Sequence, residues 1–493
     1  MNHTDSVGNR QHYGMLLLAL LFVLYCGIMV SIAVGEKDAF SGRGMLSWRG
    51  VVVSQPKTTA KVCRADILVV EVGGKEISPF KTRATISSRN AATGDIPVSV
   101  GHAVACVSAF KRLADSGKYA SYGRYLLSQG VKNQTFIQSR NICRTKISDS
   151  SIPLLVRMRI SVAEFRQRLS QTYSQLGICG DELAVVRAMT LGDRTLIEVS
   201  LRDVYSVSGA SHVLALSGLH LGIIYSLLLM LLWRRNRLLK WQMAVNFIII
   251  LTLWSYVVFV GMPVSAVRSA SMLTLCTLAR VASRGNHHFG ILAMAALLIV
   301  SVSPLSVFDV GFQMSFLSVA SIQLLASPLY EWLAPQMIRR IAPLRWLCSL
   351  TAVSVAAQVG VAPLVANCFS RFSCYFLLTN IVAIPLATIL LYLALAVVLT
   401  SPLPALQTVV GWALHSVTQL LNDSLRIIAT LPDASVENIQ LSGMQTILIY
   451  LFMALVYLAV KVLMRGKLYK IRYGKYPSVR YLQEKRGKVD RKE

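Results

Sequence analysis

Residues 206–220 read SVSGASHVLALSGLH and head an apolar run that continues to Trp233. Two Ser-Gly pairs (Ser208-Gly209 and Ser217-Gly218) and two histidines (His212 and His220) lie inside it. A helix that only faces lipid has no use for such groups. Backbone interrupted by Ser and Gly at membrane depth is tolerated only where it is buried in protein or lines a wet cavity. Ser217 and His220 are three apart and share a face if the segment is helical. Two readings follow. One is a close helix–helix contact through small residues. The other is the wall of a polar path, lined by Ser208, Gly209, Ser211, His212, Ser217, Gly218 and His220.

The rest of the chain sets that stretch in a membrane. Apolar residues make up 54% of the 493 and charged residues 15%, the composition of a polytopic membrane protein. The net charge is nevertheless +27, which calls for anionic lipid, nucleic acid, or both, as partner. Nine cysteines fall outside any CxxC pattern, and no GxxxxGK[ST] loop occurs, so neither a zinc ribbon nor a nucleotide motor is encoded. The eight histidines form no dense ligand motif; no metal or cofactor and no catalytic residue is expected.

Upstream, residues 14–35 are apolar over a length suited to a spanning helix, and Arg10 before them favours a cytoplasmic N-terminus. Residues 1–44 therefore read as a transmembrane anchor. Residues 45–150 change in kind. Short β-rich runs at 48–55, 65–74, 81–88 and 102–113 alternate with turn signals, as in a small β domain. Their size and number allow a five-stranded barrel of the OB type. The domain is strongly basic, and Lys61, Arg64, Lys81 and Arg83 are its candidate contacts to a single strand or phosphate backbone. A plain solvated basic surface is the competing reading. Few aromatics are at hand to stack bases (Trp48, Phe80, Phe110, Tyr119 and Tyr122), which weighs against stacking. Cys63, Cys106 and Cys143 are an odd set that cannot all pair; Cys106–Cys143 is the bridge that would tie the barrel to the segment after it. Residues 151–205 contain a basic amphipathic helix suited to the membrane surface.

From 206 to 465 the spanning candidates are 211–233, 240–261, 263–282, 288–307, 310–330, 346–369, 374–400, 404–430 and 444–464. With the first run this makes about ten transmembrane helices. The 404–430 stretch is the weakest, since Gln407, His415, Gln419, Asn422, Asp423 and Arg426 suit a flat or interior-lining helix. Placing the β domain outside puts RRNRLLK, Arg280, Arg284, RRIAPLR and the basic tail 466–493 in the cytoplasm, in keeping with the positive-inside rule. The expected fold is thus a polytopic α-helical membrane protein with an inserted extracytoplasmic OB-like β-barrel. Within the spans, Arg268, Asp309, Gln313, Gln358 and Asn380 are polar groups of the type that faces a bundle interior and marks a pathway. Arg268 would be a single fixed charge along it. Two structural alternatives compete: Arg268 snorkels to the interface, and Asp309 simply caps the helix after it.

The run GASHVLALSGLHLGII strongly resembles the signature of the ComEC family of competence proteins. The Val267-Arg268-Ser269 step, FDVGFQMSFLSV, the FSRF turn at 369–372 and NIVAIPLA resemble the same family in the same order. So do YASYGRYLLSQGV, similar to the element after the family's OB-like barrel, and Gly192-Asp193-Arg194, read as a helix junction. The resemblance implies a channel in the bacterial cytoplasmic (inner) membrane that takes up single-stranded DNA in natural transformation. It also implies an extracytoplasmic DNA receptor and a cytoplasmic motor or single-strand-binding protein as partners. Many members carry a C-terminal metallo-β-lactamase-like domain; here the sequence ends in a basic tail without an HxHxDH cluster, so a separately encoded nuclease is expected. A membrane transporter of another anionic substrate, lipid-linked or a small solute, is the alternative. An intramembrane hydrolase on Ser217 and His220 lacks an acidic orienter and an oxyanion motif.

Overall fold

The computed structural model describes residues 44–232, 239–281 and 288–473, apart from 55, 60–61, 88–97, 99, 114–122, 124–125, 128–129, 139–140 and 146–153. The expected first membrane anchor, most of the 119–131 element, the RRNRLLK loop, His287 and the end of the basic tail lie outside the described residues. Two compact units make up the chain: residues 1–360 with 373–436, and residues 361–372 with 437–493.

The first unit begins with the β domain. Its strands are β1 (Leu46–Val52), β2 (Lys57–Thr59), β3 (Val62–Val72), β4 (Lys75–Ser87), β5 (Ala103–Ser108), β6 (Phe110–Arg112), β7 (Val131–Gln138) and β8 (Ile142–Arg144). Alternation of apolar residues drives each long strand: Cys63, Ala65, Ile67 and Val69 of β3 point inward, as do Ala84 and Ile86 of β4. β1 pairs antiparallel with β3 and with β5, β3 pairs antiparallel with β4, and β4 pairs parallel with β7. β7 in turn pairs antiparallel with β6. Because β5 and β6 are two halves of one run bent at Ala109, the path returns to its start. This curled sheet, with one parallel pair in an otherwise antiparallel ring, is consistent with an OB-like domain. Its core packs Trp48 on Phe110, with ring centroids 5.7 Å apart, and Phe80 edge-on to Phe110 at 5.5 Å. Trp48 and Phe110, weighed above as stacking aromatics, are therefore core residues.

Helices follow: α1 (Leu154–Gln175), α2 (Gly180–Leu191), α3 (Val199–Val207), α4 (Ser211–Leu214), α5 (Gly218–Leu232), α6 (Leu239–Phe259), α7 (Val264–Val281) and α8 (His288–Val302). Beyond a short 3-10 turn at Pro304–Phe308 come α9 (Val310–Leu333), α10 (Gln336–Arg339), α11 (Ala342–Phe369), α12 (Phe376–Leu399), α13 (Pro404–Ala429) and α14 (Gly443–Tyr473). Among the described residues, five segments are long and apolar enough to cross a membrane: Trp241–Phe259, Val310–Leu333, Ala342–Phe369, Phe376–Leu399 and Gly443–Leu463. Gly218–Leu232 and Phe289–Val302 are shorter apolar helices. The protein is a helical, multi-pass membrane protein bearing a curled β-sheet domain.

Among the described residues, two large apolar cores organise most helices of the first unit, beside a small cluster of Ile299, Val300 and Phe312. In one, Met189 of α2, Leu201 and Tyr205 of α3, and Val213 and Leu214 of α4 join Ala383, Ala387 and Leu390 of α12 and Leu414, Leu421 and Leu425 of α13. Small residues at Thr379, Ala383, Ala387 and Ala394 make the buried stripe of α12, the pattern that lets helices approach closely without an aqueous driving force. The buried stripe of α13 recurs at Gly411, Leu414, Thr418, Leu421, Asn422, Leu425 and Ile428. The stretch that was weakest as a spanning candidate is thus an amphipathic helix packed along α12. The other core joins Leu216, Leu221 and Tyr225 to Val245, Ile249, Leu253 and Val257 of α6 and Ala266 and Ala270 of α7. In the second unit, Asn367 Nδ2 donates to Leu441 O at 2.8 Å, and Arg371 pairs with Glu437 at 2.7 Å.

Candidate functional site

The opening stretch lies where the two cores meet. Ala210, Val213 and Leu214 belong to the first core, and Leu216 and Leu221 to the second. Between them the helix expected over 211–233 is broken: α4 ends at Leu214, residues 215–217 are non-helical, and α5 starts at Gly218. The break has a local cause. Ser217 Oγ accepts from the backbone N–H of Leu219 at 3.2 Å, a side-chain bond that starts α5 afresh.

Each polar residue of the stretch has a definite place. Ser208 is fully buried, and its carbonyl accepts from Thr379 Oγ1 on α12 at 2.6 Å. Gly209 adopts φ +88°, and a Cβ there would meet Ser373 Oγ at 2.9 Å and Ser373 Cβ at 3.0 Å. Both the left-handed backbone and the close approach require glycine. Ser211 Oγ donates to Tyr205 O at 3.4 Å, and exposed His212 donates through Nδ1 to Gly209 O at 3.2 Å. His220 is fully buried, with Ser217 Oγ 3.2 Å from its Nδ1. The backbone N–H of Ser217 points at the same nitrogen at 3.4 Å, which makes Nδ1 the acceptor and leaves the ring proton on Nε2. Gly218 faces α7: a Cβ would sit 3.2 Å from Ser269 Oγ. Gly218 thus makes the small-residue contact with α7, while Ser208 and His220 are buried and Ser217 half-buried around the break.

Arg268 precedes Ser269 and is buried, with Nη1 donating to Asp309 Oδ2 at 3.1 Å. This corrects the expectation of a single fixed charge. Asp309 also caps α9, its Oδ1 accepting from Gly311 N at 3.0 Å. The carboxylate thus has two roles, and the guanidinium is neutralised because an unpaired charge at such a position is costly. Gln313, one turn on, donates through Nε2 to Val307 O at 2.9 Å and holds the 3-10 turn against α9. Asn380 lies on the first turn of α12 with its Oδ1 buried. Gln358 is half-buried on α11, close to where Gly360 packs on Ser321 of α9. No hydrogen bond among the described residues ties Gln358 to the others.

Several buried atoms in this region have no protein partner: Ser208 Oγ, His220 Nε2, Arg268 Nε, Ser373 Oγ, Asn380 Oδ1 and Asn422 Nδ2. Sequence reading missed Ser269, Ser373 and Thr379, which touch the stretch from α7 and from around the start of α12, and the bond from Tyr205 OH to Asn422 Oδ1 at 2.8 Å. A polar Asn422 inside an apolar period was the one available signal. In the junction after α2, Asp193 is buried, pairs with Arg187 and accepts from Thr195 N at 3.0 Å, so the 192–194 step is a structural turn. Arg166 of α1, on the helix expected to lie on the membrane surface, donates to Leu191 O and Val260 O at 3.3 Å each.

On the barrel, two of the four candidate cations are matched by a carboxylate. Lys81 and Arg83 on β4 both pair with Asp66 of β3, the lysine at 3.2 Å. Asp66 stands directly across from Arg83 and is nearly buried, so it captures both cations. Arg64 is exposed on β3, and Lys61 lies outside the described residues. Cys106 and Cys143 are free thiols on paired strands, Cys106 registered with Ile142 and buried, Cys143 registered with Ala105 and exposed. Burial, and secondarily Cys143 beside it, push the Cys106 thiol up to about 12.

A family model described as Competence protein matches residues 189–463. ComE operon protein 3 of Bacillus subtilis (strain 168) is 27% identical over 274 residues, which are 55% of this chain and 33% of that protein. This chain therefore matches only about a third of that relative's length. No solved structure matches.

Proposed function

The chain belongs to the ComEC family of competence proteins, and from that premise we propose that it is the membrane channel for single-stranded DNA in competence. One observation carries the reading: the signature breaks at the junction of two apolar cores, beside the buried Arg268–Asp309 pair, and gathers polar atoms that no protein group satisfies. A translocated strand carries a charge on every phosphate, which hydrocarbon cannot solvate. Its path needs water, hydrogen-bond donors and charge held in balance. His220 Nε2–H and the Ser208 hydroxyl supply donors. A neutralised Arg268 would guide phosphate without trapping it. The OB-like domain would receive the strand outside, with the ten-helix bundle in the cytoplasmic membrane and the C-terminus inside. The chain would act without hydrolytic chemistry, and an external receptor, a cytoplasmic motor or single-strand-binding protein, and a separate nuclease would complete the system.

The test is uptake of labelled DNA and transformation frequency in a deletion strain complemented with variants, read alongside membrane abundance. Gly218→Leu is expected to accumulate and to block uptake; Gly218→Ser serves if the larger side chain is not tolerated against Ser269. Normal transformation by the deletion strain itself would refute the reading.

A further inference from the structure

We propose that the outer face of β3, β4 and β7 binds single-stranded nucleic acid, with Phe136 as the ring on which a base stacks and Arg64 and Lys111 as phosphate contacts beside it. The proposal takes its ligand from the uptake reading above and assigns the surface. Phe136 lies on β7, whose burial alternates strictly, with Val131, Asn133, Thr135 and Ile137 inward. Phe136 points outward and is 57% exposed. Registers place it directly beside Thr85 of β4, and Thr85 directly beside Arg64 of β3. Arg64, Thr85 and Phe136 thus form one row across the sheet, with Arg64 and Phe136 two strand spacings apart, roughly 10 Å. The next row carries Arg83, Gln134 and Lys111, and the Lys111 ammonium lies 5.4 Å from the Phe136 ring centroid. Exposed Lys132 extends the same basic border.

A lone exposed apolar side chain needs no explanation. This one differs in company. It is a flat aromatic with Arg64 and Lys111 as its near outward neighbours. The nearby carboxylate, Asp66, is already matched by Lys81 and Arg83. A π-face amid cations suits a ligand that alternates flat bases with phosphates, and such stacking is tolerant of sequence. An anionic membrane would use the cations and also take the ring at its interface; preference for a base-bearing over an abasic strand separates the two.

The experiment measures binding of the full chain in detergent to oligo(dT) and to an abasic strand of equal length, by fluorescence anisotropy. Wild type is expected to prefer oligo(dT). Phe136→Ala should weaken oligo(dT) roughly 5- to 150-fold, the range of one lost base stack, and leave the abasic strand unchanged. Phe136→Trp should retain the preference. Arg64→Ala should weaken both strands alike and lower the salt dependence by about one counterion. Equal binding of oligo(dT) by wild type and Phe136→Ala would overturn the proposal, as would a wild type indifferent to bases. Competition by anionic vesicles that depends on the cations, without any oligo(dT) preference, would assign the face to lipid instead. If Phe136→Ala binds normally while the deletion strain loses uptake, the surface is misassigned and the channel reading survives. If stacking is lost as expected while the deletion strain transforms normally, the channel reading falls alone.

Discussion

Trp48, Ser108 and Thr135 in the barrel, and Ser208, His220 and Asn380 in the helices, all bring polar atoms into the interior, yet the two sets end differently. In the barrel, Trp48 Nε1 donates to Ser108 Oγ at 2.9 Å, Ser108 and Thr135 hydroxyls are 2.7 Å apart, and Thr135 Oγ1 donates to Ala109 O at 3.1 Å. The network closes on itself. Around the signature, by contrast, Ser208 and His220 each spend one group on the fold and keep another buried without a protein partner, and Asn380 Oδ1 is buried without one. Such atoms typically cost about 1–3 kcal/mol each unless water or a ligand meets them, so a group of them marks a place where either can bind. The Trp48–Ser108–Thr135 network shows that this chain can satisfy interior polar groups; Ser208, His220 and Asn380 depart from that practice.

The sharpest way to break the contrast is the Arg268–Asp309 pair. Asp309→Asn preserves the cap on α9 but leaves the guanidinium buried without its anion, at a cost of roughly 3–5 kcal/mol. A lower thermal midpoint of the solubilised protein is expected. Adding Arg268→Met should restore that midpoint while transformation remains low. Recovery of both would make the pair purely structural and erase the distinction between the two regions.

A smaller loss is expected at Gly209. Gly209→Ala forces a side chain into the left-handed region, at roughly 1–2 kcal/mol, and against Ser373 besides. Membrane abundance should fall, and Ser373→Gly in the same chain should recover the contact's share but not the backbone's. Ser108→Ala probes the other side of the comparison. It strands the Trp48 indole N–H and should cost about 1–2 kcal/mol of barrel stability, with transformation tracking abundance only.

The mildest probe uses the thiols. Thiolate is the reactive form, so raising the Cys106 pKa to about 12 suppresses its reaction at any lower pH. Alkylation of Cys106 should remain slow through pH 9 and accelerate only as pH approaches that value, while exposed Cys143 reacts first. Mass spectrometry of the unreduced, alkylated protein reads both sites; loss of both thiols together would reveal a bridge.

What the sequence disclosed followed the range of the interactions. Each long apolar stretch downstream of the barrel lies on a helix, because hydrophobic period is local. The β1, β3, β4 and β5 runs were legible for the same reason. β7 was not: its inward positions include Asn133 and Thr135, whose polarity hides the alternation, and Phe136 was overlooked with it. Nor could spacing reveal that Lys81 and Arg83 share Asp66, or that Arg268 finds Asp309 forty-one residues away, since those partners meet only through the fold. The break at 215–217 was visible as Ser and Gly residues, but its position between two cores was not.

The bond from Thr379 to the carbonyl of Ser208 joins groups 171 residues apart in sequence, and that from Tyr205 to Asn422 joins groups 217 apart. Synthesis runs from one end, at about 5–20 residues per second, so roughly 10–30 s separate the emergence of Ser208 from that of its partner. During that interval α4 through α11 are made while the signature lacks the helices that enclose it. Closure of this region is therefore a late event in biogenesis, set by the arrival of α12 and α13, and a ribosome stalled before Thr379 would leave behind a chain whose most polar segment has nothing to seal it.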